Sequence, residues 1–157
     1  MRYQDARPRI QSGDIIAFRH DNLASRIIRA ATGSDYSHVG VAWPVAGRVM
    51  ILEAVIPEIR IFPLSKLLPF YWVALNRPLC PEAEEFALSK VGERYSIPEA
   101  IRGYFNLTKS DQIWQCAEYV KSVLNAGEDR FFAKSTPSEV VEEAMKQDGI
   151  IAMITKT

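Results

Sequence analysis

Two residues that lie far apart in the chain have the types that a thiol-dependent enzyme needs. Cys116 opens an amphipathic helical pattern, and His38 stands at the start of a β-rich run, residues 37–43. The unpaired N–H groups at a helix N-terminus favour a negatively charged sulfur, and a neighbouring imidazole favours it further. We therefore expect Cys116 to be a nucleophile and His38 to be its base.

A third group is needed to orient the base, and a predicted hairpin supplies one. Two β-rich runs, 37–43 and 48–56, flank a loop at residues 44–47, and a four-residue loop makes His38 and Glu53 direct partners. Paired residues of an antiparallel hairpin share a face of the sheet. An unpaired charge in the apolar run around Glu53 would be costly, so a contact with the imidazole is expected. An ion pair of Glu53 with an arginine is the alternative.

The elements that must position these residues follow from periodicity and turn signals. Strands dominate the N-terminal half and helices the C-terminal half, which predicts an α+β fold with an antiparallel sheet. Residues 136–139 form a capping box at the start of the last helix. The predicted strands are 13–19, 37–43, 48–56, 60–62, 70–75 and 149–154, and the predicted helices are 22–32, 82–91, 116–126 and 136–145.

Composition describes an ordinary globular protein. Of the 157 residues, 48% are hydrophobic, and 19 Lys and Arg residues balance 19 Asp and Glu residues. This length suits one domain with a real core, so we assign residues 1–157 to a single domain. The even charge balance gives no sign of nucleic-acid binding. Two cysteines at distant positions do not make a disulfide framework.

The apolar pattern also bears on location. The first eight residues lack the apolar stretch and the small-residue cleavage site of a signal peptide. No apolar run is long enough to span a bilayer, so no integral membrane segment is expected. The default compartment is the cytoplasm, while export after removal of a leader, or release by lysis, stays open.

Three segments of the N-terminal half resemble one half of an NlpC-type papain-like cysteine peptidase. They are 12–18, 37–41 and 52–54. They match that half's order of Gly-Asp before two apolar residues, then His-Val-Gly, then a polar residue before Ala. The resemblance therefore includes both His38 and Glu53.

The other half of that family reads Gly-x-x-Tyr, followed by a Cys that opens a helix ending in Gly. It is present downstream as residues 92–95, Cys116 and Gly127. Because the halves are in swapped order, the chain is similar to the circularly permuted branch, which includes YiiX-like and lecithin:retinol acyltransferase-like proteins. Residues 136–140 resemble the Thr-Pro-x-Asp-Leu segment of the YiiX-like group. The acyltransferase branch carries Asn-Cys-Glu-His, which differs from residues 115–118 here.

The resemblance implies a permuted papain-like fold, in which an antiparallel sheet or partial barrel packs against helices. It also implies an amide hydrolase, a peptidase or amidase, with Cys116, His38 and Glu53 as its triad. The substrates that it implies are peptidoglycan peptides or N-acyl amino acids, with no cofactor. The partner would then be a small peptide or cell-wall fragment, and the oligomeric state stays open.

Further groups are assigned to the oxyanion or substrate site. Tyr95 belongs to the Gly-x-x-Tyr motif, and Trp114 and Gln115 directly precede Cys116. The backbone N–H of Cys116, at the expected helix start, would be one oxyanion donor.

Each assignment has a structural alternative. A cysteine in an amphipathic helix is often a small buried hydrophobe, so Cys116 has that second interpretation. The structural alternative for His38 is a partly buried histidine of the fold, and for Tyr95 it is a core aromatic residue. Cys80 and His20 are expected to be structural or exposed. The His and Cys spacing does not fit zinc, so no metal site is expected.

Two other functions stay open. One is an acyltransferase or thioesterase that passes a lipid acyl group through the same thioester. The other is a catalytically silent binding or phage-structural module that keeps the fold.

Overall fold

The structure is a computed structural model that describes residues 1–20, 29, 33–55, 57–93, 111–126 and 136–156, with the backbone alone for 111–115. The helix predicted at 22–32 lies almost wholly outside these residues. The helices within them are α1 (Tyr3–Ala6), α2 (Pro81–Ser89), α3 (Asp111–Ala126) and α4 (Pro137–Lys146). The strands are β1 (Ile15–Phe18), β2 (His38–Val45), β3 (Arg48–Val55), β4 (Glu58–Pro63), β5 (Phe70–Ala74) and β6 (Ile150–Ile154).

The strands form one antiparallel sheet in the order β4-β3-β2-β1-β5-β6. This confirms the predicted α+β class. The strands β2, β3 and β4 are consecutive in the chain and adjacent in the sheet, whereas β6 returns from the helical half to pair with β5. The two predicted hairpin strands therefore lie inside the sheet, each with a neighbour on both sides.

Helix α3 covers the strands that carry His38 and Glu53. It packs on β2 and β3, and both α2 and α4 pack on α3. Val120, Val123 and Leu124 form its buried apolar stripe, at the spacing that a helix needs to present one face. Strand side chains alternate between faces. Val41 therefore joins this cluster, and its neighbour Ala42 joins a second cluster around Phe18.

The turn between β2 and β3 is shorter than the sequence predicted. Val45 pairs with Arg48, so the loop is Ala46-Gly47 rather than residues 44–47. Both loop residues have positive φ, 48° and 73°, as a type I′ turn requires. The sequence signal for this turn is usually Asn-Gly or Asp-Gly, and the Ala-Gly pair lacks it.

Pro44 is the reason for the wrong loop length. The prediction ended the strand before Pro44 because proline cannot donate to a ladder, but Pro44 pairs with Val49 inside the ladder. Two residues earlier, the N–H of Ala42 points away from β3 and donates to Asp14 O at 2.8 Å. The nitrogen of Pro44 points the same way, beyond the paired residues of β1, so no ladder bond is lost.

The start of α3 also differs from the prediction. The helix begins at Asp111, and Cys116 lies in its second turn. The apolar periodicity that starts at Cys116 marks the buried part of a helix rather than its first residue. Residues 111–115 contain no Gly or Pro, so the helix extends through them. The capping box of α4 is as predicted: Thr136 Oγ1 accepts from Glu139 N at 3.2 Å, and Thr136 N donates to Glu139 Oε2 at 3.1 Å.

Asp14, from the Gly-Asp motif, is a structural residue. It is buried, and its carboxylate accepts hydrogen bonds from Gln11 N at 2.8 Å, Trp72 Nε1 at 2.8 Å and Leu75 N at 3.0 Å. These bonds join the start of β1 to Trp72 in the middle of β5 and to Leu75, the residue after its end. The motif therefore fixes the strand against which β2 pairs.

The first residues of the chain lie beside the last strand. Thr155 N donates to Met1 O at 2.9 Å, and Tyr3 N donates to Thr155 O at 2.9 Å. Arg2 and Thr155 thereby form a parallel bridge that extends the edge of the sheet beyond β6.

Candidate active site

His38 and Glu53 are in contact across β2 and β3. Nε2 of His38 lies 2.7 Å from Oε2 of Glu53. The ladder pairs Val41 with Leu52, and continuing it places Val55 opposite His38, with Glu53 as a diagonal neighbour. The exact pairing in the prediction was therefore wrong. Because the loop shortens by an even number of residues, Glu53 keeps the predicted face, and a diagonal neighbour is within reach of a long side chain.

Arg60 is a member of the site that the sequence reasoning did not assign. It lies on β4 directly opposite Glu53. Its Nε and Nη2 donate to Glu53 Oε1 at 2.9 and 2.7 Å, and its guanidinium carbon lies 4.4 Å from the centroid of the Phe62 ring. The two expected partners of Glu53, a histidine and an arginine, are thus both present, one on each oxygen. The sequence signal that could have identified Arg60 is its place in the run 58–63, which directly follows the strand that carries Glu53.

Cys116 meets His38 from the helix side. The thiol is a hydrogen-bond partner of the imidazole, and since Nε2 is occupied by Glu53, Nδ1 is the nitrogen left for the sulfur. Cys116 is 1% exposed and belongs to the core cluster beneath α3. The structure therefore brings together the three residues that the sequence singled out, in the order Cys116, His38, Glu53.

The helix position of Cys116 removes two predicted features. In an α-helix the N–H of a second-turn residue bonds to the carbonyl four residues earlier. The backbone N–H of Cys116 is therefore not a free oxyanion donor, contrary to the prediction. The favourable field of a helix N-terminus also falls off within the first turn, so the imidazole is the group that acts on the sulfur.

The site holds a proton on His38. Burial lowers the pKa of this imidazole, but its hydrogen bonds to Cys116 and Glu53 and its electrostatic interactions with both outweigh burial and raise the pKa to about 10. Burial likewise raises the pKa of Glu53, but its bonds to His38 and Arg60 outweigh this and lower the pKa below the ordinary 4.5. At neutral pH the pair is an imidazolium and a carboxylate.

Three further predicted site residues have side chains outside the described part of the chain. Tyr95 lies outside the described residues, and Trp114 and Gln115 belong to the part of α3 whose backbone alone is described. Within the described part of the chain, no group of three or more His, Cys, Asp or Glu side chains is arranged to hold a metal ion.

The remaining cysteine and histidine stay outside this group. Cys80 is half-buried at the N-cap of α2. His20 is exposed, and its ring stacks on Phe18 at a centroid distance of 5.4 Å. Phe18 also packs against the His38 ring, with centroids 5.5 Å apart, and so limits the tilt of the imidazole.

Comparison with known proteins identifies the fold. No protein-family model and no curated protein matches the sequence. None of the described helices is long and apolar enough to cross a membrane. Among solved structures, the chain is similar to the metalloprotein YiiX (DUF1105) from Escherichia coli O157:H7, with a TM-score of 0.60 and 22% identity, over 88% of this chain and 82% of that one. The protein therefore has a YiiX-like α+β fold.

Proposed function

We propose that this protein is a cysteine-dependent amide hydrolase with a permuted papain-like fold. One observation carries the proposal: the side chains of Cys116, His38 and Glu53 form a continuous chain of hydrogen bonds. A nucleophile, a base and a group that orients the base are what acyl transfer requires. The order of the sequence motifs, with the histidine before the cysteine, supports the permuted arrangement.

The proposed reaction follows from which atom holds the proton. The sulfur of Cys116 attacks the amide carbonyl carbon, and the electron pair of the C=O bond moves to oxygen. As this pair returns, the C–N bond breaks, and the leaving nitrogen takes the proton from His38. Water then attacks the thioester while His38 takes its proton, which releases the carboxylic acid and restores the sulfur. Glu53 stabilises the imidazolium at each stage where it is present.

The substrate class comes from the sequence resemblance. It points to peptidoglycan peptides or N-acyl amino acids, both of which contain the amide that this chemistry cleaves. The metal in the description of YiiX is not carried over to this chain. Among the described residues of the site, the donors that a metal would need, Nε2 of His38 and both oxygens of Glu53, already bond to protein groups. No step is therefore assigned to a metal.

The burial of Cys116 favours a second candidate, a catalytically silent module that keeps the fold. A sulfur with 1% exposure packs as a small hydrophobe, and a substrate reaches it only if the surrounding groups move. The two candidates differ in one measurable property, which is access of a reagent to the sulfur in the native protein.

The test is alkylation followed by turnover. Native protein at pH 7 is treated with limiting iodoacetamide and mapped by mass spectrometry, with Cys80→Ala and Cys116→Ala as matched variants. The hydrolase predicts preferential labelling of Cys116, and cleavage of peptidoglycan fragments or N-acyl amino acids that Cys116→Ala abolishes without unfolding. Labelling of the half-buried Cys80 first, with no cleavage, would establish the silent module.

A further inference from the structure

Arg60 makes the most specific contact of the site that the proposed reaction does not use. Its guanidinium donates twice to one oxygen of Glu53, and the other oxygen bonds to His38. Glu53 is 2% exposed, whereas the Arg60 side chain is 37% exposed. The carboxylate is therefore held from outside by a group that remains in contact with water.

The carboxylate needs this partner. A buried carboxylate whose only partner is an imidazole, which can lose its proton, tends to become protonated and neutral. A guanidinium stays charged throughout the accessible pH range, so its attraction does not depend on the state of His38. The bonds of Arg60 to Glu53 contribute to the lowered pKa of that carboxyl.

The geometry also fixes the direction of the carboxylate. Arg60 and Glu53 are directly paired on β4 and β3, so their side chains start on one face about 5 Å apart. Two bonds to Oε1 prevent rotation about the last side-chain torsion of Glu53 and leave Oε2 toward His38. The Phe62 ring, two residues farther along β4, lies 4.4 Å from the guanidinium carbon and keeps it in place.

Among the described residues, no other charged group offers a substitute for Arg60. His38 faces Glu53 from β2 and Arg60 faces it from β4, and these two are the groups that act on its charge. Cys116, on α3, contacts His38 on the side of the ring opposite Glu53. Glu118, the next acidic residue on that helix, is exposed, as is Glu58 on β4.

We propose that Arg60 is a positioning residue of this site, which keeps Glu53 ionised and directs its second oxygen to His38. This inference rests on the proposed function for its effect on turnover, but not for its effect on Glu53. The hydrogen bonds of Arg60 go to Glu53 and not to the sulfur or the imidazole. Its loss therefore acts on the pH at which the site works.

The test is the pH dependence of Cys116 alkylation, measured in a Cys80→Ala background. Arg60→Met removes the charge next to Glu53, and Arg48→Met removes an exposed arginine of the same sheet as a matched control. The acid limb of a profile is the pH range in which the alkylation rate rises with pH. In Arg60→Met this limb should move up by about one pH unit, which is equivalent to a tenfold slower reaction at a given pH on that limb. The Arg48→Met profile should coincide with wild type. A coincident Arg60→Met profile would overturn the inference.

Rescue separates positioning from a general structural role. Arg60→Lys keeps the charge but loses the paired donors, so its acid limb should lie between those of wild type and Arg60→Met. Because Arg60 is partly exposed, millimolar guanidinium should restore the wild-type limb in Arg60→Ala and leave Arg48→Met unchanged. Failure of both rescues would show that Arg60 acts only through packing.

Two further outcomes are decisive. If Arg60→Met does not fold, the double variant Arg60→Met/Glu53→Gln should fold, because the neutral amide of Gln at position 53 does not need a cationic partner. A pair that still fails to fold would overturn the inference. If no amide is cleaved but the acid limb moves in Arg60→Met, the proposed function fails and the inference about Arg60 stands.

Discussion

Glu53 binds His38 from a diagonal position in the β2–β3 ladder, with 2.7 Å between Oε2 and Nε2. On the other side of β3, Arg60 of β4 lies directly opposite Glu53. The carboxylate thus lies between two cationic groups on neighbouring strands. One of them is fixed in charge, and the other exchanges a proton during the proposed reaction.

Replacing Glu53 by Gln should slow the chemistry without a matching loss of substrate binding. The amide keeps the shape but no longer stabilises the imidazolium, so kcat should fall by about 100-fold or more while KM changes little. Turnover, or the rate of Cys116 alkylation if no substrate is found, measures this. Glu58→Gln, an exposed acid on β4, should behave as wild type. Full activity in Glu53→Gln would leave a Cys116–His38 dyad.

The stability of the protein should depend on pH through both partners. The folded pKa of His38 is raised from 6.5 to about 10, so its contribution is complete below pH 6.5 and is lost as the pH rises to 10. The folded pKa of Glu53 is lowered, so its contribution is complete above pH 4.5 and is lost as the pH falls. Urea unfolding of wild type, His38→Gln and Glu53→Gln across pH 3–10 measures both differences. A difference for His38→Gln that grows with pH would contradict the assignment.

Gly40 should not tolerate a side chain. A Cβ at this position would lie 2.6 Å from Cδ1 of Ile51 and 2.9 Å from the carbonyl oxygen of Leu52 on β3. Gly40→Ala should therefore push β2 away from β3 and cost about 1–3 kcal/mol in the free energy of unfolding. Adding Ile51→Val, which removes the Cδ1 contact, should recover part of the loss. An unchanged unfolding midpoint in Gly40→Ala would show that the strands are farther apart than described.

The type I′ turn predicts opposite effects at its two residues. Ala46 has a φ of 48°, which Asn adopts more readily, so Ala46→Asn should stabilise the protein by about 0.5–1 kcal/mol. Gly47→Ala should destabilise it by about 1 kcal/mol, through backbone strain alone, since a Cβ there meets nothing within 4 Å. Thermal unfolding of both variants tests the turn. A four-residue loop would give neither effect in this direction.

The capping box of α4 should matter for stability and not for chemistry. Thr136→Ala removes the acceptor for Glu139 N and should cost about 1 kcal/mol, whereas Thr136→Ser keeps the hydroxyl and should cost much less. The pH profile of Cys116 alkylation should be the same in both variants. A changed profile would show that α4 helps to position the site.

The sequence predicted those parts of the fold that local patterns determine. The six strands and the three helices at α2, α3 and α4 were expected near their observed positions, and Thr136 forms the predicted cap. The short helix α1 (Tyr3–Ala6) was not predicted, and the other errors concern boundaries. Pro44 stays in its strand because its nitrogen points past β1, a fact that depends on the neighbouring strand and not on the sequence near Pro44. The start of α3 was set too late because the apolar pattern reports burial rather than helix ends.

The site shows the same division between local and distant information. The face of the sheet on which Glu53 lies followed from the alternation of side chains along one hairpin. The predicted loop was two residues too long, and an error of two residues leaves the face unchanged. Arg60 was missed because its relation to Glu53 depends on a second hairpin register, between β3 and β4, for which the sequence offered no comparable turn signal. The contact of Cys116 with His38 joins the two halves of the chain, and the motif resemblance was the signal that linked them.

Because Met1 and Thr155 are hydrogen-bonded neighbours, we expect the two halves to fold in either order. A short linker would join these neighbouring segments, and new ends would fit at residues 76–78, which are exposed after β5. The rearranged gene would encode the cysteine before the histidine while preserving every contact among Cys116, His38, Glu53 and Arg60. Such a gene must preserve the packing of α3 on β2 and β3 and the pairing of β3 with β4. The order in which these elements follow one another in the chain can then change.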